Sequence, residues 1–238
     1  MKKRYKKILF DLDNTLVDDD ENRKYAIKQI LLDRKELATI DRIKNFIDID
    51  NQYWKDRAAR KIKEPAFKNK EEKTKWVRAQ RFIKYFKDIS FEEAVEINNK
   101  YLKYLGEYIV PIKNSQEILK YLYQKQYEIY IVTNSPEKVI ENKIGKANIK
   151  EYIKETFSAE YAGHMKPHNE FFEIFFKKMD ISNKDDIILI GDEIETDIIG
   201  SINNGIDSCW FNMKKKNNNT KFKPNYEIND LIELKEIL

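Results

Sequence analysis

The stretch Lys6-Lys7-Ile8-Leu9-Phe10-Asp11-Leu12-Asp13-Asn14-Thr15 joins a short apolar run to two carboxylates. Ile8, Leu9 and Phe10 follow one another without alternation, the pattern of a strand buried on both faces of a parallel sheet. Asp11 and Asp13 stand two apart at its carboxyl end, so their side chains leave the same face of the chain and can converge on one ligand. Two like charges placed together are unfavourable unless a cation or a proton compensates. The competing reading is an exposed strand end whose aspartates cap a following helix. The remainder of the chain has to decide between the two.

Beyond Leu16 the pattern changes. From about Asp18 to Tyr108 the periodicity is helical, with Trp76, Ala79, Ile83 and Phe86 expected on one face and Phe91, Val95, Asn98, Leu102 and Leu105 on another. From Pro111 helix and strand alternate. Helices are expected at Ser115 to Gln124, from Pro136, from Asn169, over Glu195 to Asn203 and over Asp230 to Leu238. Strands are expected at Tyr127 to Thr133, Thr156 to Ala159, Asp186 to Ile190, Ser208 to Phe211 and around Tyr226-Glu227-Ile228. Alternation of this kind implies an α/β fold with a doubly wound, Rossmann-like parallel sheet, and ligands at the carboxyl ends of its strands. The expected organisation is a core of residues 1–17 and 110–238 with a helical cap domain, 18–109, inserted after the first strand.

The other strand ends favour a ligand. Ile129-Tyr130-Ile131-Val132 runs into Thr133-Asn134-Ser135, a hydroxyl and amide donors at a helix start, where free N–H groups and the helix dipole favour a phosphate. Ser135 before Pro136 also reads as a plain N-cap with proline at the first helical position. Ile187-Ile188-Leu189-Ile190-Gly191 ends in Asp192, Glu193, Glu195 and Asp197. Carboxylates gathered after a buried strand suit a hard, oxygen-liganded cation such as magnesium, although acids at a helix start are also favoured by its dipole.

With these residues in place the sequence resembles the haloacid dehalogenase superfamily. Asp11-Leu12-Asp13-Asn14-Thr15 is similar to its first motif, Thr133 to its second, Lys166 with Pro167 to its third, and Gly191-Asp192 through Asp197 to its fourth. The helical insert resembles the C1 type of cap. The stretch Gly191 to Asn212 and the tail Pro224-Asn225-Tyr226-Glu227-Ile228 resemble the bacterial 5′-nucleotidase branch that favours pyrimidine and non-standard nucleotides. One departure is His168, where the family usually has Asp; that position caps a helix, and Asn169 is expected to take over the task.

The resemblance implies a phosphomonoester hydrolase in which Asp11 is the nucleophile and passes through an aspartyl-phosphate, with Asp13 as general acid and base. It implies magnesium held by Asp11, the Asp13 backbone carbonyl and Asp192, with Asp197 orienting that shell. Lys166, Thr133 and the Asn134 backbone N–H would bind the phosphoryl oxygens. A nucleoside 5′-monophosphate phosphatase is preferred, with a sugar-phosphate phosphatase or phosphomutase as the rival and a non-catalytic phosphate-binding module behind both. Dehalogenation is disfavoured because that chemistry belongs to members without an acid/base at the position of Asp13.

Composition limits the remaining classes. The 238 residues are 41% apolar and 36% charged, with net charge +4, too small and too evenly spread to suggest a nucleic-acid polymer or a membrane as partner. A small-molecule phosphomonoester is the expected partner, acted on by a monomer or weak homodimer. Cys209 is the single cysteine and His164 and His168 are the only histidines, so neither an internal disulfide nor a zinc cluster is available. The basic start, Lys2, Lys3, Arg4, Lys6 and Lys7, precedes too short an apolar run for a signal peptide, and no run approaches the roughly 20 residues that span a bilayer. A cytoplasmic protein is expected. Lys214-Lys215-Lys216 reads as a solvated loop, and Tyr53, Trp54, Phe67 and Trp76 as cap core or as stacking platforms for a base.

Overall fold

Ile8, Leu9 and Phe10 form the strand that their composition calls for. In a computed structural model of the chain, which describes residues 5–238, β1 spans Lys7–Phe10 and these three side chains have no exposure. Lys2, Lys3 and Arg4 of the basic start lie outside the described residues. The chain divides into two units, Met1–Asp18 with Val110–Leu238, and Asp19–Ile109.

The inserted unit contains α1 (Asp19–Asp33), α2 (Ile40–Ala58), α3 (Lys70–Phe86) and α4 (Phe91–Leu105). Thr39, Asn69 and Ser90 start the last three, each accepting the backbone N–H three residues on and so satisfying one donor that the helix leaves unpaired. Phe46, Phe82 and Tyr101 form its aromatic centre, with ring centroids 5.4 to 5.5 Å apart. Beside them lies a buried ionic group. Asp50 accepts from Arg81 at 3.0 Å and from Arg23 at 2.6 Å, and Arg81 also donates to Asn98 at 3.1 Å.

That group corrects the expected helix faces. On α3 the buried residues are Val77, Arg78, Ala79, Arg81 and Phe82, and Trp76, Ile83 and Phe86 lie only partly covered, because Arg81 turns inward to Asp50. On α4 the buried side is Ala94, Ile97, Asn98, Tyr101, Leu102 and Leu105, leaving Phe91 exposed.

The other unit resumes with α5 (Ser115–Gln124), β2 (Glu128–Thr133), α6 (Glu137–Lys146), β3 (Glu155–Ser158), the short α7 (Ala159–Ala162) and α8 (Asn169–Lys178). Then come β4 (Ile187–Gly191), a π-helical turn at Ile194–Ile198 that runs into α9 (Ile199–Asn203), β5 (Asp207–Phe211), β6 (Tyr226–Ile228) and α10 (Leu234–Ile237). The six strands form one parallel sheet in the order β3-β2-β1-β4-β5-β6. This is the doubly wound α/β fold, with the direction of winding reversing beside β1. Phe171, Phe172, Phe175 and Phe176 of α8 pack with Leu9, Val132, Phe157 and Leu189 in its core. Phe10 lies opposite Ile131 of β2 and Ile190 of β4, so Asp11, Thr133 and Asp192 all emerge at one carboxyl edge.

Two helix starts differ from expectation. Pro136, not Ser135, precedes the first residue of α6, and Ser135 is buried with its hydroxyl unpartnered among the described residues; its backbone N–H is drawn back to the Thr133 hydroxyl at 3.0 Å. His168 keeps the N-cap place of α8 without a side-chain cap bond, and Asn169 is already the first helical residue. Asn169 cannot cap from there, and its Oδ1 instead accepts from Asn204 at 3.3 Å.

Candidate active site

Asp11 is fixed at its backbone and shared at its side chain. Its N–H donates to the Ile190 carbonyl at 2.8 Å, which continues the β1–β4 pairing by one residue and sets the carboxylate between two strand ends. Oδ1 accepts from Lys166 Nζ at 2.7 Å, and the Thr15 hydroxyl lies 3.5 Å from Oδ2. Asn14 takes a left-handed φ of 60°, which asparagine tolerates, and its N–H closes on the Val17 carbonyl at 2.7 Å, turning the chain immediately after the two aspartates.

Lys166 is 1% exposed, and its Nζ donates to Asp197 Oδ1 at 2.6 Å as well as to Asp11. Its backbone is held by a residue expected to act differently. The Asn134 side chain accepts the Lys166 N–H at 2.9 Å and donates to its carbonyl at 3.2 Å, tying the end of β2 to the lysine's loop. Thr133 is fully buried; its hydroxyl oxygen takes the Ser135 N–H, and its own proton is left to donate.

Asp197 has both carboxylate oxygens engaged, Oδ1 by Lys166 and Oδ2 by the Glu193 N–H at 3.2 Å. The π turn puts it there, and Gly191 makes the room: a Cβ at 191 would overlap the Asp197 carboxylate and come within 2.6 Å of its Cβ. The indole of Trp210 donates to the Asp192 carbonyl at 2.9 Å and fixes the backbone from which that side chain projects.

The charges do not balance. Asp11, Asp192 and Asp197 each offer an oxygen within 4.8 Å of the other two, and Lys166 is the cation among them. Burial pushes the Asp11 carboxyl up to about 7 against the pull of Lys166, with the Asp197 and Asp13 charges adding to the rise. Burial, then Asp11, Asp197 and Glu193, raise Asp192 well above the carboxylate range, Lys216 opposing. Burial works against the Lys166 ammonium, but Asp11 and Asp197 outweigh it and hold it above its ordinary value. A pocket of hard oxygen donors with surplus negative charge fits a magnesium ion, and the free donors belong to Asp11 and Asp192 rather than to Asp197.

Asp13 brings in a residue that the motifs do not include. Lys143 of α6 is 1% exposed and its Nζ donates to Asp13 Oδ1 at 2.5 Å. The available signal was its position on the apolar stripe of Val139, Ile140 and Ile144, where a lysine is out of character. Other residues are not part of the cluster: His164 is exposed, Cys209 is buried within β5, and Lys214 and Lys215 lie in an exposed loop whose Lys216 reaches Glu193 at 3.8 Å. Tyr53 is core, its hydroxyl donating to the Val77 carbonyl at 2.6 Å. Among the described residues no helix is long and apolar enough to cross a membrane.

Known proteins carry the same architecture over the whole length. The chain is 28% identical to the pyrimidine 5′-nucleotidase PynA of Streptococcus pneumoniae, over 98% of this chain and 95% of that one. It is 24% identical to a glyceraldehyde 3-phosphate phosphatase of Pyrococcus furiosus, over 99% and 94%. The crystal structure of the putative hydrolase YfnB of Bacillus subtilis, bound to magnesium, superimposes with a TM-score of 0.87 at 27% identity, over 99% of each chain. Residues 8–211, from β1 through β5, match the haloacid dehalogenase-like hydrolases, and the chain belongs to that family.

Proposed function

We propose that this hydrolase is a magnesium-dependent phosphomonoesterase that works through an aspartyl-phosphate on Asp11 and takes nucleoside 5′-monophosphates, pyrimidine ones foremost. The observation that carries the chemistry is the Asp11 carboxylate at the carboxyl edge of the sheet, bonded to a buried Lys166 at 2.7 Å in a pocket short of positive charge. The similarity to PynA over nearly the full length supports the substrate class.

In the first step an Asp11 oxygen attacks phosphorus while the bond from phosphorus to the ester oxygen breaks, and Asp13 gives that oxygen a proton. Water then attacks the same phosphorus and yields its proton to Asp13. The bond from phosphorus to the Asp11 oxygen breaks, which releases phosphate and restores the carboxylate. Lys166, kept charged by Asp11 and Asp197, answers the negative charge of the phosphoryl oxygens, to which the Thr133 hydroxyl and the Asn134 N–H donate. Asp11, Asp192 and the Asp13 backbone carbonyl would hold magnesium, which when bound supplies charge that offsets repulsion between carboxylate and phosphate. Asp197 acts by holding Lys166 and the turn after β4.

In this reading Asp19–Ile109 is a C1-type cap that determines what is attached to phosphate. Tyr53, Phe46, Phe82 and Tyr101 are spent on its own core, whereas Trp54, Phe67 and Trp76 are only partly covered. One stacked base is worth roughly 1–3 kcal/mol, about 5- to 150-fold in discrimination. The similarity to the glyceraldehyde 3-phosphate phosphatase of Pyrococcus furiosus favours a second reading, sugar phosphates. A panel of both classes at matched sub-saturating concentration, with released phosphate as readout, separates them. Pyrimidine monophosphates are expected to lead in kcat/KM. Equal or better turnover of sugar phosphates overturns the nucleotidase, and no release from either class with magnesium present overturns the phosphatase.

A further inference from the structure

Lys143 sits on the inward stripe of α6 with Val139, Ile140 and Ile144, and is as buried as they are. An ammonium at such a place is costly unless an anion answers it. The anion is Asp13, 130 residues away in sequence, whose Oδ1 accepts from Lys143 Nζ at 2.5 Å. The backbone at Asp13 has little freedom, because the turn after it is closed by the Asn14 N–H to the Val17 carbonyl and by a bridge between Asp13 and Val17. The side-chain torsions of Asp13 are therefore the freedom left to it, and Lys143 takes that away. Oδ2 of Asp13 accepts no hydrogen bond from any described residue.

We infer that Lys143 is a positioning residue for the acid/base step: by occupying Oδ1 of Asp13 it leaves Oδ2 as the atom that delivers the proton to the departing ester oxygen and later takes one from water. A neutral carboxyl has one carbonyl-type acceptor and one O–H donor. With an ammonium on Oδ1 the acceptor end is fixed, so the donor end is fixed too. The inference rests on the acid/base role of Asp13 in the proposed function. It differs from a plain structural role, in which Lys143 stabilises α6 and its loss weakens every substrate alike.

The experiment compares Lys143→Met, which keeps the unbranched stem on an apolar face, and Lys143→Arg with the wild-type full chain in magnesium. Lys143→Gln replaces the methionine variant should that one fail to fold. Two substrates are used, in steady state for kcat and KM and in single turnover for the first step: a nucleoside 5′-monophosphate, whose alkoxide must be protonated to leave, and an aryl phosphate, whose phenolate leaves with little help. Loss of the charge is expected to lower kcat for the nucleotide about 30-fold or more with KM changed by less than about 3-fold, and to slow the first step on the aryl phosphate by less than about 3-fold. Lys143→Arg is expected to recover most of the nucleotide activity. Equal loss on both substrates, or unchanged kcat on the nucleotide, overturns the inference. Crystal structures of the wild type and of Lys143→Met give a readout without turnover: the Asp13 carboxylate should leave its wild-type rotamer in the variant, and an unmoved carboxylate overturns the inference. If the wild type turns over neither substrate, the phosphatase reading has failed separately and the crystal comparison alone decides Lys143.

Discussion

Replacing Lys166 by methionine removes the cation from between two buried carboxylates and leaves a side chain of similar length. At contacts of 2.7 and 2.6 Å each pair is worth about 6 kcal/mol for an effective dielectric of about 20. Much of that is offset by the cost of burying the ammonium, and breaking a buried pair by removing one partner costs about 3–5 kcal/mol. For a chain of this length that corresponds to a fall in Tm of about 6–20 °C. The fall should depend on pH. Asp11 is raised from 3.8 to about 7 with the lysine present, and loses the pull of Lys166 without it. A raised carboxyl contributes stability that is complete below its unfolded value and is lost as pH rises through its folded value. The loss should therefore be smaller near pH 5, where the Asp11 carboxyl stays protonated in both and only the Lys166–Asp197 pair is broken, and should grow as pH passes 7. Thermal unfolding by circular dichroism in chelator at pH 5 and pH 8 measures this. A loss below about 2 °C at pH 8, or the same loss at both pH values, refutes the view that Lys166 holds these carboxylates together.

Gly191→Ala forces a methyl group into the Asp197 side chain, which cannot yield without releasing Lys166, so a loss of about 1–3 kcal/mol is expected in urea unfolding. Gly145→Ala, inside α6 with nothing within 4 Å of the added carbon, is the control and should cost nothing or stabilise by up to about 1 kcal/mol. Because burial first, and neighbouring carboxylates after it, raise Asp11 and Asp192, the metal-free protein should lose stability as pH rises from about 4 through 7, and the gain in Tm on adding magnesium should grow across the same interval. A magnesium effect that is flat from pH 5 to pH 8 would contradict that charge balance.

The strands were legible because Ile8-Leu9-Phe10 and Ile187-Ile188-Leu189-Ile190 are unbroken apolar runs, which only a sheet covered on both faces accommodates at that length. The parallel register then brings Asp11, Thr133 and Asp192 to one edge, which is how residues far apart in sequence could be read as neighbours. Periodicity failed on α3 because it counts apolar residues, and this helix buries Arg78 and also Arg81, the latter answered by Asp50 on another helix. Lys143 escaped for a related reason: its place on the apolar stripe of α6 was a signal, but among 45 lysines and arginines only its partner's position in space gives that signal a meaning. Asn134 was placed in the right loop, but only coordinates show its side chain bonded to both backbone groups of Lys166. The π turn before α9 has no composition of its own; it follows from Asp197 having to face both Lys166 and the Glu193 N–H.

Phosphoryl transfer through Asp11 is open to a direct chemical test. Rapid acid quench of wild-type enzyme during turnover, followed by borohydride reduction and peptide mapping, reads it directly, because an acyl phosphate is reduced to an alcohol at the residue that carried it. The reduced residue is expected at position 11 and nowhere else, is expected to be absent in Asp11→Asn, and turnover of that variant is expected to fall about 10³-fold or more. Phosphoryl groups found on another residue, or full turnover by Asp11→Asn, would contradict transfer through Asp11.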